Sequence, residues 1–149
     1  MSKYRKNILI VMIALVIVVG LSLTSIYSYL LFHNLAELFS IVVGFTLFII
    51  AWNSREFSEG RIDYLTFIGI AYLFISFLDL LHTLSYKGMY IFKDYDYYAN
   101  QLWIAARYLE SISLLVLFIY LRIKKRFRPY LIFVVYTIIT STIIASIFY

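Results

Sequence analysis

A handful of ionisable side chains in this sequence stand where they are costly. Glu37, Asp79, His82, Arg107 and Glu110, with His33 close by, are embedded in long runs of Leu, Ile, Val and Phe. A charge in such surroundings needs a counter-charge, a metal or a water-lined cavity. Spacing groups these residues. Glu37, Ser40 and Gly44 are three and four residues apart, and so are Asp79, His82 and Tyr86, and Trp103, Arg107 and Glu110. Each set occupies one face of a helix. Three chemistries fit. Arg107 can pair with Glu110, Asp79 or Glu37; Glu37, Asp79 or His82 can do acid–base work; and His33, Glu37, Asp79 and His82 can ligate a metal or haem. The ligand pattern is short and there are only 2 histidines, so no cofactor is the first expectation and metal or haem the alternative. The sequence has no Gly-rich phosphate loop, no Ser-His-Asp order and no HExxH. With no cysteine there is no disulfide, thiolate site or thiol nucleophile. No catalytic domain is expected in this chain.

The elements that hold these residues follow from composition. The chain is 64% hydrophobic and 14% charged, with a mean hydropathy of +0.90; a soluble domain is about half apolar and about a quarter charged. Five stretches reach the ~20 residues that cross a bilayer: 8–32, 35–53, 64–84, 101–121 and 129–149. They lack the alternation of barrel strands. The expected fold is all-α, a polytopic integral membrane helical bundle with five transmembrane helices, one module over 1–149 and part of a larger bundle. The first stretch is longer than the ~7–15-residue core of a signal peptide and reads as an uncleaved anchor. A short outer turn near His33 and Asn34 is expected to make the first two spans antiparallel.

Thirteen Lys and Arg residues set the orientation. Lys3, Arg5 and Lys6, then Arg55 and Arg61, then Arg122, Lys124, Lys125, Arg126 and Arg128 fall on one side, against only Lys87 and Lys93 on the other. By the positive-inside rule the amino terminus is cytoplasmic, in a cell membrane. The 122–128 cluster reads first as a stop-transfer anchor, with an anionic-lipid or nucleic-acid patch as alternatives; the bilayer is an expected partner and nucleic acid is not. In the outer 84–100 loop, Tyr90, Tyr95, Tyr97 and Tyr98 surround Asp94 and Asp96 as an interfacial belt, and Trp52 with Asn53 anchors the inner end of the second span. Gly20 and Gly69 read as packing or flexing positions. Run forward, this topology places Glu37, Asp79, His82, Trp103, Arg107 and Glu110 in one layer of the outer leaflet, with His33 at its lip.

At these residues the sequence resembles a known family. The carriers are His33-Asn34-Leu35-Ala36-Glu37-Leu38-Phe39-Ser40-Ile41 with Ala51-Trp52-Asn53-Ser54-Arg55, then Phe67-Ile68-Gly69-Ile70-Ala71-Tyr72-Leu73-Phe74. Asp79-Leu80-Leu81-His82-Thr83-Leu84-Ser85-Tyr86-Lys87-Gly88-Met89 and Gln101-Leu102-Trp103-Ile104-Ala105-Ala106-Arg107-Tyr108-Leu109-Glu110-Ser111 complete it. Over residues 30 to 115 they resemble the third type of membrane-associated sensor domain, an integral-membrane input module of bacterial and archaeal signalling proteins. Its motif falls on His33, Glu37, Asp79, His82, Lys87, Gln101, Trp103, Arg107 and Glu110. The resemblance implies a sensory role, a cytoplasmic PAS, histidine kinase or diguanylate cyclase output domain as partner, and no catalytic mechanism; a homodimer is a further expectation. Five spans from a cytoplasmic amino terminus would leave Tyr149 outside, so the chain is expected to be truncated at its carboxyl end. The alternative function is a transporter or a metal- or haem-binding membrane protein using the same layer.

Overall fold

The computed structural model describes residues 3–55, 63–92, 97–123 and 128–149. Expectations for Arg61, Lys93, Asp94, Tyr95, Asp96, Lys124, Lys125 and Arg126 lie outside those residues. Five helices follow in order: α1 (Lys3–Tyr27), α2 (Tyr29–Ser54), α3 (Asp63–Leu84), α4 (Tyr98–Ile123) and α5 (Pro129–Phe148). All five are long and apolar enough to span a membrane, and there is no strand among the described residues. The protein is an all-helical, multi-pass membrane protein. It divides into two units, Met1–Leu38 and Phe39–Tyr149.

In the first unit, the described α1 side chains from Tyr4 to Gly20 are all exposed. A helix apolar on every side and buried by nothing matches a lipid solvent. Its hydroxyls turn back on their own helix: Ser22 Oγ donates to the Val18 carbonyl and Thr24 Oγ1 to that of Leu21, which hides them from hydrocarbon. The turn expected at His33 and Asn34 is absent; both residues lie within α2. The break is Ser28 alone. Its N–H bonds to the Thr24 carbonyl, its carbonyl accepts from Phe32, and its Oγ accepts the Leu31 N–H at 3.3 Å. Ser28 is thus an N-cap, and the chain passes from α1 to α2 through one residue, fewer than the ~2–5 that a helical hairpin uses.

In the second unit α3 is the central helix. Phe67, Ile70, Ala71, Ile75 and Leu78 from α3 are buried with Leu102, Ala106, Leu109 and Leu117 of α4 and Tyr136 of α5. The later part of α2 runs antiparallel to α3 at close approach. A Cβ on Gly44 would collide with Ser76 Oγ, and one on Gly69 would come within 2.6 Å of Ala51 Cβ. Gly69 is therefore a packing glycine, as expected, whereas a Cβ on Gly20 meets open space. α4 returns antiparallel to α3, and α5 runs up beside both. The end of α5 rests on the start of α4, where the Phe148 and Tyr98 rings stack 4.7 Å apart.

Candidate functional site

Alternation of three- and four-residue steps gives α4 a buried stripe of Leu102, Ala106, Leu109, Ser113 and Leu117. Arg107 and Glu110 flank that stripe, one turn apart, at the edge facing α3. On α3 the matching face carries Tyr72 and Asp79, seven residues and two turns apart. The antiparallel pairing brings the two sets together.

Arg107 is the centre. Its Nη2 donates to both oxygens of Asp79, at 2.9 and 2.6 Å, and its Nη1 donates to Glu110 Oε2 at 2.7 Å. The other Glu110 oxygen accepts from the Tyr72 hydroxyl at 2.9 Å. The chain of bonds runs from α3 to α4 and back to α3. One cation faces two carboxylates, and a neutral phenol O–H supports the second. Exposure differs sharply: the Asp79 side chain is 6% exposed, Glu110 23% and Arg107 40%. The guanidinium is therefore open on one side while its principal anion is sealed. It also keeps a donor in hand, because Arg107 Nε is buried with no acceptor among the described residues. Beside it, Trp103, Ile104, Tyr108 and Ser111 line a groove of about 330 Å³ along α4.

His82 does a different job. Its Nδ1 lies 2.8 Å from the Ala99 carbonyl oxygen; a carbonyl only accepts, so Nδ1 carries the proton and donates. That bond ties the end of α3 to the first turn of α4 and sets the register in which Asp79 meets Arg107. Thr83 caps its own helix by donating to the Asp79 carbonyl at 2.8 Å.

Asp79, Arg107 and Glu110 converge in one bonded set, with His82 buried one turn from Asp79. Trp103 contributes a wall of the groove and is 48% exposed, and Gln101 stands exposed in the first turns of α4. His33 and Glu37 belong to the first unit, half-buried on one face of α2, where the His33 and Tyr29 rings stack 6.2 Å apart. Of the candidate metal ligands, Asp79 spends both oxygens on Arg107. The member not anticipated from sequence is Tyr72. Its signal is the seven-residue step from Tyr72 to Asp79, two turns on one face.

A second polar contact, also unforeseen, joins α4 to α5: Tyr136 Oη donates to Ser113 Oγ at 2.5 Å, and Ser113 in turn donates to the Leu109 carbonyl at 2.5 Å.

No curated protein and no solved structure matches the chain. Residues 24–149 match the MASE3 membrane-associated sensor domain. That match takes in α2 to α5 and every residue of the bonded set, and the chain belongs to the MASE3 membrane-associated sensor domain family.

Proposed function

We infer that this sensory input module reads its stimulus at the Tyr72–Asp79–Arg107–Glu110 set and passes it on as a change in how α3 and α4 sit together. The observation that carries this reading is the half-open guanidinium shared between two helices. A buried, fully enclosed pair only holds helices together. A cation reachable from one side can exchange partners, which supplies the two-state element that signalling needs. An anionic or carboxylate-bearing ligand in the Trp103–Arg107 groove competes with Glu110 first, because Glu110 is the more open of the two carboxylates. Asp79 keeps the arginine in place meanwhile. His82 fixes the α3–α4 register, so the exchange moves helices and not one side chain alone.

The Lys and Arg of 55–61 and 122–128 favour a cytoplasmic side for those two segments, with the set in the outer half of a cell membrane. The motion then travels down α4 towards a cytoplasmic PAS, kinase or cyclase output. The reading needs no cofactor and no catalysis by this chain. Its test is Arg107→Gln in the full-length sensor, with membrane insertion confirmed. Output should stop responding to the stimulus, and a wild-type response would contradict the reading.

A further inference from the structure

A cavity of about 400 Å³ lies among α2, α3 and α5. Its α5 wall runs through the middle of that 20-residue helix, at the depth of the hydrocarbon. Phe45 of α2, Phe74 and Phe77 of α3 and Phe133 of α5 give it aromatic sides, and the Phe74 and Phe133 rings meet edge-on at 5.3 Å. α5 adds Thr137, with Thr140 and Ser141 three and four residues further on, along one helix face. A hydroxyl in hydrocarbon is costly unless bonded, and it commonly turns back on its own helix. Thr137, Thr142 and Ser146 do so, donating to the carbonyls of Phe133, Ile138 and Ile143. Thr140 does not. It is only 3% exposed, yet its Oγ1 has no partner among the described residues.

We propose that this cavity is a binding site for a quinone, a neutral, lipid-soluble ring bearing carbonyl oxygens, with Thr140 and Ser141 as its hydrogen-bond donors. The Thr140 O–H lacks an acceptor, so the occupant must supply one, and an acyl chain has none to give. A carbonyl oxygen has two lone pairs and can accept from both hydroxyls. Threonine on a helix divides between two χ1 rotamers, so Oγ1 can swing to a ligand while the backbone stays in place. No charged side chain lines the cavity among the described residues, and a carboxylate or phosphate there would go uncompensated. Four phenylalanine rings favour a flat ring over a flexible chain, through stacked and edge-on contacts. Phe77, Thr137 and Ser141 are exposed, which leaves one side open to the bilayer for entry and for an isoprenoid or alkyl tail. The volume falls in the ~300–1,000 Å³ range of small-molecule sites. Arg107, Asp79 and Glu110 take no part in lining it, so the site stands independently of how the charged set works.

The test reconstitutes the full chain in phosphatidylcholine vesicles with a photoreactive azido derivative of decylubiquinone. After illumination, mass spectrometry locates the labelled peptides. Labelling should saturate and fall on the α3 and α5 segments that border the cavity. Unlabelled decylubiquinone should compete, whereas decylbenzene, a ring and tail with no carbonyl, should not. Thr140→Val with Ser141→Ala removes both donors at nearly constant shape and should raise the half-saturating concentration about tenfold. Ser141→Phe, at an exposed position, places a ring in the cavity and should abolish labelling there. Labelling that never saturates, equal competition by decylbenzene, or labelling left unchanged by either variant, each confirmed helical by circular dichroism, overturns the site.

Discussion

The edge of α4 that faces α3 carries Arg107 and Glu110, and one turn further on Ser113 faces α5. The first contact is ionic: a guanidinium held by two carboxylates, with a phenol supporting the second. The second is neutral, a tyrosine hydroxyl on a serine that is itself tied to its own backbone. Both Ser113 and Tyr136 are buried, whereas Arg107 is open on one side. A neutral bond sealed in the core has one arrangement and no competitor. An open ionic contact has several possible partners, and losing one of them leaves a charge that must be satisfied elsewhere. On the proposed reading the α4–α5 contact is a fixed joint, and the α3–α4 contact is the part of the module that changes.

The comparison is broken most severely by removing the cation. Arg107→Gln strands the buried Asp79, and losing one partner of a buried pair costs about 3–5 kcal/mol. A titration with denaturing detergent, followed by circular dichroism, should show a larger loss of stability for this variant than for any of the three that follow. Tyr72→Phe takes one donor from Glu110 and should cost about 1–3 kcal/mol in the same titration. It should also make the groove easier for an added carboxylate to occupy. Tyr136→Phe removes the neutral joint and should cost only about 1 kcal/mol, the scale of interhelical hydrogen bonds in membranes, with no effect on signalling. Trp103→Phe should leave stability unchanged, since the ring is half-exposed, while altering the concentration of ligand needed for a response.

Much of this arrangement is legible in the amino-acid sequence. Runs of apolar residues announce the five helices, and rare charges inside them single out Asp79, Arg107 and Glu110. Asp79, Arg107 and Glu110 stand out because an ionisable residue in hydrocarbon has few explanations. Tyr72, Ser113 and Tyr136 do not, because a hydroxyl costs little in an apolar run and the partner of Tyr72 lies on another helix. The helix break is misplaced for a related reason. His33 and Asn34 are polar enough to look like a turn, yet α2 accommodates both, while Ser28 ends one helix and caps the next with a single oxygen. Pairing across helices decides which polar residue matters, and spacing along one helix does not contain it.

The α3–α4 contact can be measured without its stimulus or its output domain. Because the chain has no cysteine, spin labels can be placed only where wanted. The exposed positions Phe77 on α3 and Ile104 on α4 suit a distance measurement by pulsed electron resonance in reconstituted bilayers. The account predicts one narrow distribution for the otherwise unaltered chain and for Tyr136→Phe. For Arg107→Gln it predicts a broadened distribution displaced by about 1–2 Å, the scale of helix shifts in switching proteins. An Arg107→Gln distribution that overlays the unaltered one would contradict the claim that this contact is the part that moves.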